Sequence, residues 1–342
     1  MNAPPLESIY PWQEDAWERL QAMCEQERVP HAILFHGPEG IGKSRLALAF
    51  AWHLLCSGEQ RGRACGECHA CNLNRAHTHP DLMLLQPEGN SNRILIEQVR
   101  TLIEEASVTA HQGIRRIAVF MPAEAMNANA ANALLKILEE PAESTMFLLL
   151  SHNPRRLLPT VRSRCQSLAL GVPPAEQVLP WLKAQKGAEA QALLSAVGGR
   201  PLAARLLAEE GGAEKYANRA DAWLRLLEGQ QAAVSVAADW SKENLAELLF
   251  WTAEWLLDAM RWQASREPGL LRRPGNEDAY KRTGRWLSGE RLGFLLEQSL
   301  GARRRLDIAN PNPRLLLEDF LSTCSAVARR ERRIAGNADS PV

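Results

Sequence analysis

Gly37-Pro38-Glu39-Gly40-Ile41-Gly42-Lys43-Ser44 has the spacing GxxxxGK[ST], a set of residue types able to hold phosphate. The glycines let successive backbone N–H groups face phosphate oxygens, Lys43 adds positive charge, and Ser44 can ligate Mg²⁺. An apolar run precedes the loop and an Ala- and Leu-rich helical pattern follows it, which is the setting the motif needs. A chance glycine-rich turn is the alternative. Hydrolysis asks for more, because the metal and the attacking water depend on carboxylates at the end of a neighbouring strand. The candidate strand is Arg116-Ile117-Ala118-Val119-Phe120, and Met121-Pro122-Ala123-Glu124 follows it. Neither a thioether nor a pyrrolidine holds a hard cation. Glu124 reads as a solvated loop residue, with a role at the metal as the alternative. The expectation is ATP or ADP bound with Mg²⁺, and little or no turnover.

Cys56, Cys65, Cys68 and Cys71 follow the pattern C-x8-C-x2-C-x2-C. Two overlapping C-x2-C steps place thiolates on a tight knuckle, and the fourth comes from the end of the preceding helical pattern. Four soft thiolates with no open position suit a structural, tetrahedral Zn²⁺ site, with an iron–sulfur cluster as the alternative. His69, His77 and His79 lie nearby as substitutes, but a full set of cysteines leaves them unnecessary. A DNA-reading finger is a further alternative. Only Arg61, Arg63 and Arg75 bring positive charge to the knuckle, so it reads as a brace.

The elements that must carry these groups are legible from hydrophobic periodicity. Short apolar runs at 32–35, 82–85, 117–121 and 146–150 read as buried strands. Helical patterns at 44–55, 94–107 and 129–140 alternate with them, and Pro141 stops the last. Alternation of this kind predicts a parallel α/β sheet. Beyond Pro173-Pro174 the periodicity is helical only, with Gly198-Gly199 and Gly211-Gly212 as breaks. The predicted organisation is an α/β nucleotide-binding core over 1–168 containing the knuckle (56–71), a small helical lid over 169–208, an all-helical domain over 209–334 and a flexible tail over 335–342.

Composition narrows the function. Forty Lys+Arg balance 40 Asp+Glu, so a chain that grips duplex DNA by net charge alone is excluded. No apolar run approaches the ~20 residues a membrane span requires. The first residues lack a basic and apolar leader, so a reducing cytoplasm is expected, where seven cysteines mean thiols or metal ligands. Trp223, Trp240, Trp251, Trp255, Trp262 and Trp286 fall in the helical half and read as core packing rather than a ligand platform. Arg303-Arg304-Arg305 and Arg329-Arg330-Glu331-Arg332-Arg333 read as solvated helix faces, with DNA contact as the alternative. A helix is expected to start at Arg314, after Asn310-Pro311-Asn312-Pro313, and to bury Leu315, Leu316 and Phe320.

Together these residues resemble the delta-prime subunits of bacterial DNA polymerase III clamp loaders, members of the AAA+ superfamily. The resemblance covers about the first 205 residues. It is carried by Pro30-His31-Ala32, the phosphate loop, the four cysteines, His79-Pro80-Asp81, Asn132-Ala133-Leu134-Leu135-Lys136, Leu138-Glu139-Glu140-Pro141 and Arg162-Ser163-Arg164-Cys165. It implies an AAA+ P-loop domain with an inserted zinc knuckle, a helical lid and an all-α collar that joins subunits into a ring.

The resemblance also implies that Arg164 is an arginine finger offered in trans to a neighbouring ATPase, with Arg162 the near miss. Ser151 falls at the sensor-1 position. The gamma/tau motor carries Asp-Glu where Met121 and Pro122 stand, and a sensor arginine where Pro201 stands, with Arg200 one residue early. Those departures point to a scaffolding subunit with no intrinsic ATPase or polymerase activity. Implied partners are gamma/tau and delta in a pentameric ring, the sliding clamp weakly, and primed DNA through the complex. An active gamma/tau-type ATPase and a zinc-dependent DNA-binding module are the alternatives.

Overall fold

The computed structural model describes residues 8–58, 62–89, 92–106, 115–141, 144–209, 212–273, 276–308 and 312–338. The chain divides into two compact units, one of residues 1–185 with 200–203 and one of 186–199 with 204–342. Residues 169–208, read as a lid, are thus shared between the two.

In the first unit the elements run α1 (Glu14–Glu25), β1 (Ala32–His36), α2 (Lys43–Leu55), α3 (His69–Arg75), β2 (Leu82–Leu85), α4 (Ile96–Ala106), β3 (Arg116–Phe120), α5 (Ala128–Glu139), β4 (Thr145–Ser151), α6 (Pro159–Arg162), β5 (Gln166–Ala169) and α7 (Ala175–Lys186). The five strands form a parallel sheet in the order β2-β3-β4-β1-β5. This is the parallel α/β sheet that the alternating pattern predicts.

Each central strand is apolar on both faces because each face is covered. Ile33, Phe35, Val119, Leu148 and Leu150 pack against α1 and α2, while Leu34, Ala118, Phe120, Phe147 and Leu149 pack beneath α4 and α5. Helix α2 buries Leu46, Ala47, Ala49, Phe50 and Ala51, which explains its nearly continuous apolar sequence. Helix α5 starts where the Asn127 side chain accepts the Ala130 N–H at 2.8 Å.

The strand β5 has no counterpart in the sequence reading. Only Leu168 of its four residues is buried, so it is a polar edge strand without an apolar run. At the opposite edge, Arg116 and Asp81 are both buried, and their side chains meet at 3.8 Å.

The second unit is helical, with α8 (Ala190–Ala196), α9 (Pro201–Glu209, its first three residues in the first unit), α10 (Gly212–Glu228), α11 (Ala233–Trp240), α12 (Leu245–Ser265), α13 (Glu277–Trp286), α14 (Gly289–Ile308) and α15 (Pro313–Ala338). Trp223, Trp240, Trp251 and Trp255 form a contiguous aromatic cluster in its core, with mostly edge-to-face or tilted rings. Core packing is therefore what the tryptophan spacing encodes.

Three expectations are corrected or bounded here. Leu315 is 62% exposed, whereas Leu316 and Phe320 are buried, because α15 turns only one apolar stripe to the core. Helix α15 extends to Ala338, and residues 339–342 of the expected tail lie outside the described residues, as does Ser107. Among the described residues no helix is long and apolar enough to cross a membrane.

Candidate functional site

The phosphate loop joins the end of β1 to α2 and is built from close backbone approaches. Gly37 has φ 151°, and a Cβ there would lie 1.9 Å from the Leu170 carbonyl oxygen, so only glycine fits. Gly40 and Gly42 also have positive φ, and the Gly40 carbonyl accepts the Leu202 N–H at 2.9 Å. Arg200 sits next to that contact, at the start of α9. From the N-terminal side Trp12 Nε1 donates to the Ile41 carbonyl and Gln13 Nε2 to the Gly42 carbonyl, each at 2.9 Å. Trp12 and Gln13 carry no motif, and their approach to a loop some 28 residues onward leaves no local signal.

Lys43 and Ser44 open α2. Lys43 is only 3% exposed, and its Nζ donates to the carbonyls of Gly37 at 2.8 Å and Pro38 at 2.6 Å. A third donation reaches His152 Nδ1 at 2.8 Å. Burial lowers the Lys43 pKa to about 8, against the opposing pull of Glu124 and Glu39. Burial, then the Lys43 charge, holds His152 below the ordinary imidazole range, which leaves Nδ1 free to accept.

Ser151 ends β4 and pairs in register with His36 of β1, while its carbonyl accepts the Gly37 N–H at 3.2 Å. Its hydroxyl is fully buried and has no protein partner. Parallel registration of β4 with β1 therefore brings Ser151 beside the loop from more than 100 residues away.

Glu124 departs from the reading as a solvated loop residue. It is half-buried, and its Oε1 accepts the N–H groups of His152 at 2.8 Å and Asn153 at 3.2 Å. The carboxylate is thus aimed at the end of β4, on the Lys43 side of the sheet. Met121 and Pro122, before it, offer no oxygen ligand.

The four cysteines come together as predicted. Their Sγ atoms all lie within 4.8 Å of one another, with Cys56–Cys68 at 3.8 Å and Cys65–Cys71 at 4.0 Å. Tetrahedral Zn–S bonds of about 2.3 Å require S···S separations of about 3.8 Å, so the donor set fits the ion. Backbone N–H groups support the sulfurs: Cys65 N donates to Cys56 Sγ, Cys68 N to Cys65 Sγ and Cys71 N to Cys68 Sγ, at 3.3–3.4 Å. Burial opposes ionisation of Cys68, but N–H donation from Cys71 and contacts from Ser57 outweigh it and bring the thiol to about 5. Burial instead pushes Cys71 up.

Gly58 was not singled out in the sequence, yet a Cβ there would stand 2.6 Å from Cys65 Sγ. His79 is not one of this group; its Nδ1 accepts the Asp81 N–H at 3.1 Å.

Arg164 follows α6. Its Nη2 meets Glu139 Oε1 at 2.7 Å and its Nη1 donates to the Thr160 carbonyl at 3.0 Å. Both side chains remain partly open to solvent. Arg162 instead reaches the Pro154 carbonyl at 3.4 Å.

A family profile described as DNA polymerase III, delta subunit matches residues 12–173, and one described as DNA polymerase III, delta subunit, C terminal matches residues 213–325. A relative from Pseudomonas aeruginosa named DNA polymerase III subunit delta' is 43% identical over 270 residues, 78% of this chain and 81% of its own length. The chain belongs to the DNA polymerase III delta' family.

Its relative of the same name in Escherichia coli is 32% identical over 329 residues, spanning 91% of this chain and 94% of that one. Among solved structures, a gamma subunit-related protein of DNA polymerase III from Thermotoga maritima aligns over 91% of this chain and 99% of its own, at 20% identity and a TM-score of 0.45. The Bacillus subtilis DNA clamp loader delta protein aligns over the same shares at 13% identity and a TM-score of 0.36.

Proposed function

We propose that this delta' family member is a scaffolding subunit of a cytoplasmic clamp loader. It stands beside gamma/tau and delta in a ring and helps place a sliding clamp on primed DNA. Residues 169–208 act as lid and 209–334 as collar. Arg164 is the group it contributes to the reaction, because a guanidinium at a subunit edge can neutralise charge growing on a neighbour's γ-phosphate. Glu139 and the Thr160 carbonyl hold that guanidinium while leaving it open to solvent.

The observation that carries this reading is the state of the carboxylate nearest the loop. Glu124 accepts two backbone N–H groups through one oxygen, and Met121-Pro122 stand where a motor would hold water and metal. The phosphate loop, with Gly37, Gly40, Gly42, Lys43, Ser44 and the Ser151 hydroxyl, holds ATP or ADP with Mg²⁺ without brisk turnover. When bound, Mg²⁺ offsets phosphate charge; Ser44 is the residue suited to ligate it. Zn²⁺ at Cys56, Cys65, Cys68 and Cys71 braces the end of α2 against α3.

The test is steady-state ATP hydrolysis by the lone chain and by the chain mixed with delta and gamma/tau. The expected result is negligible hydrolysis alone and clamp- and DNA-stimulated hydrolysis in the mixture. Brisk turnover by the lone chain would sink the scaffolding role.

A further inference from the structure

A second anion site is built into the helical unit, far along the chain from the phosphate loop. A cavity of about 500 Å³ lies between the α10–α11 turn and α15, lined by residues 229–233 and by Ser322, Ser325, Ala326, Arg329 and Arg332. Positions 322, 325, 329 and 332 are three, seven and ten apart, so their side chains stack on one face of α15. No carboxylate is among the lining residues. The nearest in sequence, Glu228, is held by Arg282 at 2.9 Å and 3.0 Å.

Three features of this cavity point to an oxyanion. First, Ala232 caps α11 without a side-chain acceptor, and the N–H groups of Ala233 and Val234 have no acceptor among the described residues. That leaves donors and the positive end of the helix facing the cavity. Second, Ser325 is only 9% exposed and its hydroxyl makes no hydrogen bond, an unusual state for a buried hydroxyl. Third, two guanidiniums share the cavity wall. Arg332 donates to the Leu227 carbonyl at the end of α10, and Arg329 has no acidic partner among the described residues. Their mutual repulsion and burial lower the Arg332 pKa, a cost that a bound anion would relieve.

We propose that this cavity binds a phosphate group, held by the Ala233 and Val234 N–H groups, the Ser325 hydroxyl and the Arg329 guanidinium. The site recognises a tetrahedral oxyanion, which a small phosphate compound or a nucleic-acid terminus could supply. It differs from the sequence reading of 329–333 as a merely solvated face.

The test uses backbone amide resonances of the full chain, titrated with inorganic pyrophosphate at low salt. Because the Ala233 and Val234 signals report on the cavity alone, occupancy of the phosphate loop does not confuse the result. Saturable shifts of both amides are expected, with Arg329→Gln weakening the apparent affinity about tenfold, as loss of one charge-assisted hydrogen bond implies. Arg329 is exposed, so the variant should retain the wild-type melting temperature. Single-stranded oligonucleotides with and without a 5′-phosphate form the second arm. A response to the phosphorylated strand as well as to pyrophosphate assigns the site to nucleic-acid ends, and a response to pyrophosphate alone assigns it to small anions. Unmoved amides, shifts equal in the wild type and Arg329→Gln, or a response to a glutamate-rich peptide without one to pyrophosphate would overturn the proposal.

Discussion

Lys43 Nζ lies 2.8 Å from His152 Nδ1, so the charge meant for a phosphate is already donated to a neighbouring ring. The pKa of Lys43 stands at about 8, lowered first by burial. A phosphate favours the charged lysine, so nucleotide affinity is expected to fall as pH rises through that value, by about tenfold between pH 7 and pH 9. Titration of a fluorescent ADP analogue at both pH values measures this. The sign for stability is the reverse: between about pH 8 and the ordinary lysine range the unfolded chain holds the proton more tightly. This group's contribution to stability therefore increases with pH across that window, and its penalty is complete below about pH 8.

Glu139 and Arg164 form a pair whose partners are 53% and 35% exposed. An ion pair this open contributes at most about 1 kcal/mol. Arg164→Ala should leave the melting temperature and ring assembly nearly intact, while stimulated hydrolysis by the assembled complex falls on the order of a thousandfold, as for other arginine fingers. Equal hydrolysis by the variant complex would remove the assignment.

The cysteine knuckle should carry one Zn²⁺ per chain, measurable by metal analysis of the purified protein. Cys65→Ser or Cys71→Ser is expected to release the ion and lower the melting temperature, because metal affinity adds directly to folding free energy. Gly58→Ala should weaken retention too, since its Cβ would press on Cys65 Sγ at 2.6 Å. A metal-free wild-type chain with an unchanged melting temperature after chelation would contradict the brace.

Asp258 is fully buried in α12 and accepts from the Arg272 and Arg273 N–H groups, at 3.1 Å and 3.0 Å, and from Arg261 at 2.8 Å. The buried Arg273 side chain in turn donates to the Ala196 carbonyl at 2.9 Å. Asp258→Ala strands these donors, and a loss of about 3 kcal/mol or more is expected in denaturant unfolding. Asp258→Asn, which keeps an acceptor, should lose less.

Much of the α/β unit was legible because its signals are local. Four strands were visible as apolar runs, and α2 and α5 as helical patterns, since burial on both sheet faces demands continuous apolar residues. The strand β5 was invisible for the converse reason: an edge strand with one buried residue carries no such run. Glu124 was misread because its partners are backbone N–H groups 28 and 29 residues away, which leave no trace in side-chain type. Trp12, Gln13, Gly58, His152 and Asp258 escaped for the same reason. Leu315 was placed inside on apolarity alone, but the phase of α15 turns it outward.

The amino-acid sequence by itself determined the phosphate-loop and cysteine chemistry, because those functions reside in residue types at short, fixed spacing. The lack of carboxylates at Met121 and Pro122 was equally plain there. Tertiary structure alone decided which distant groups share a site. The pairing of β4 with β1 sets Ser151 and His152 against the loop, and the packing of α15 against the α10–α11 turn encloses a polar cavity. Such pairings depend on strand order and helix phase, which arise from the collective burial of apolar surface rather than from any local run of residues.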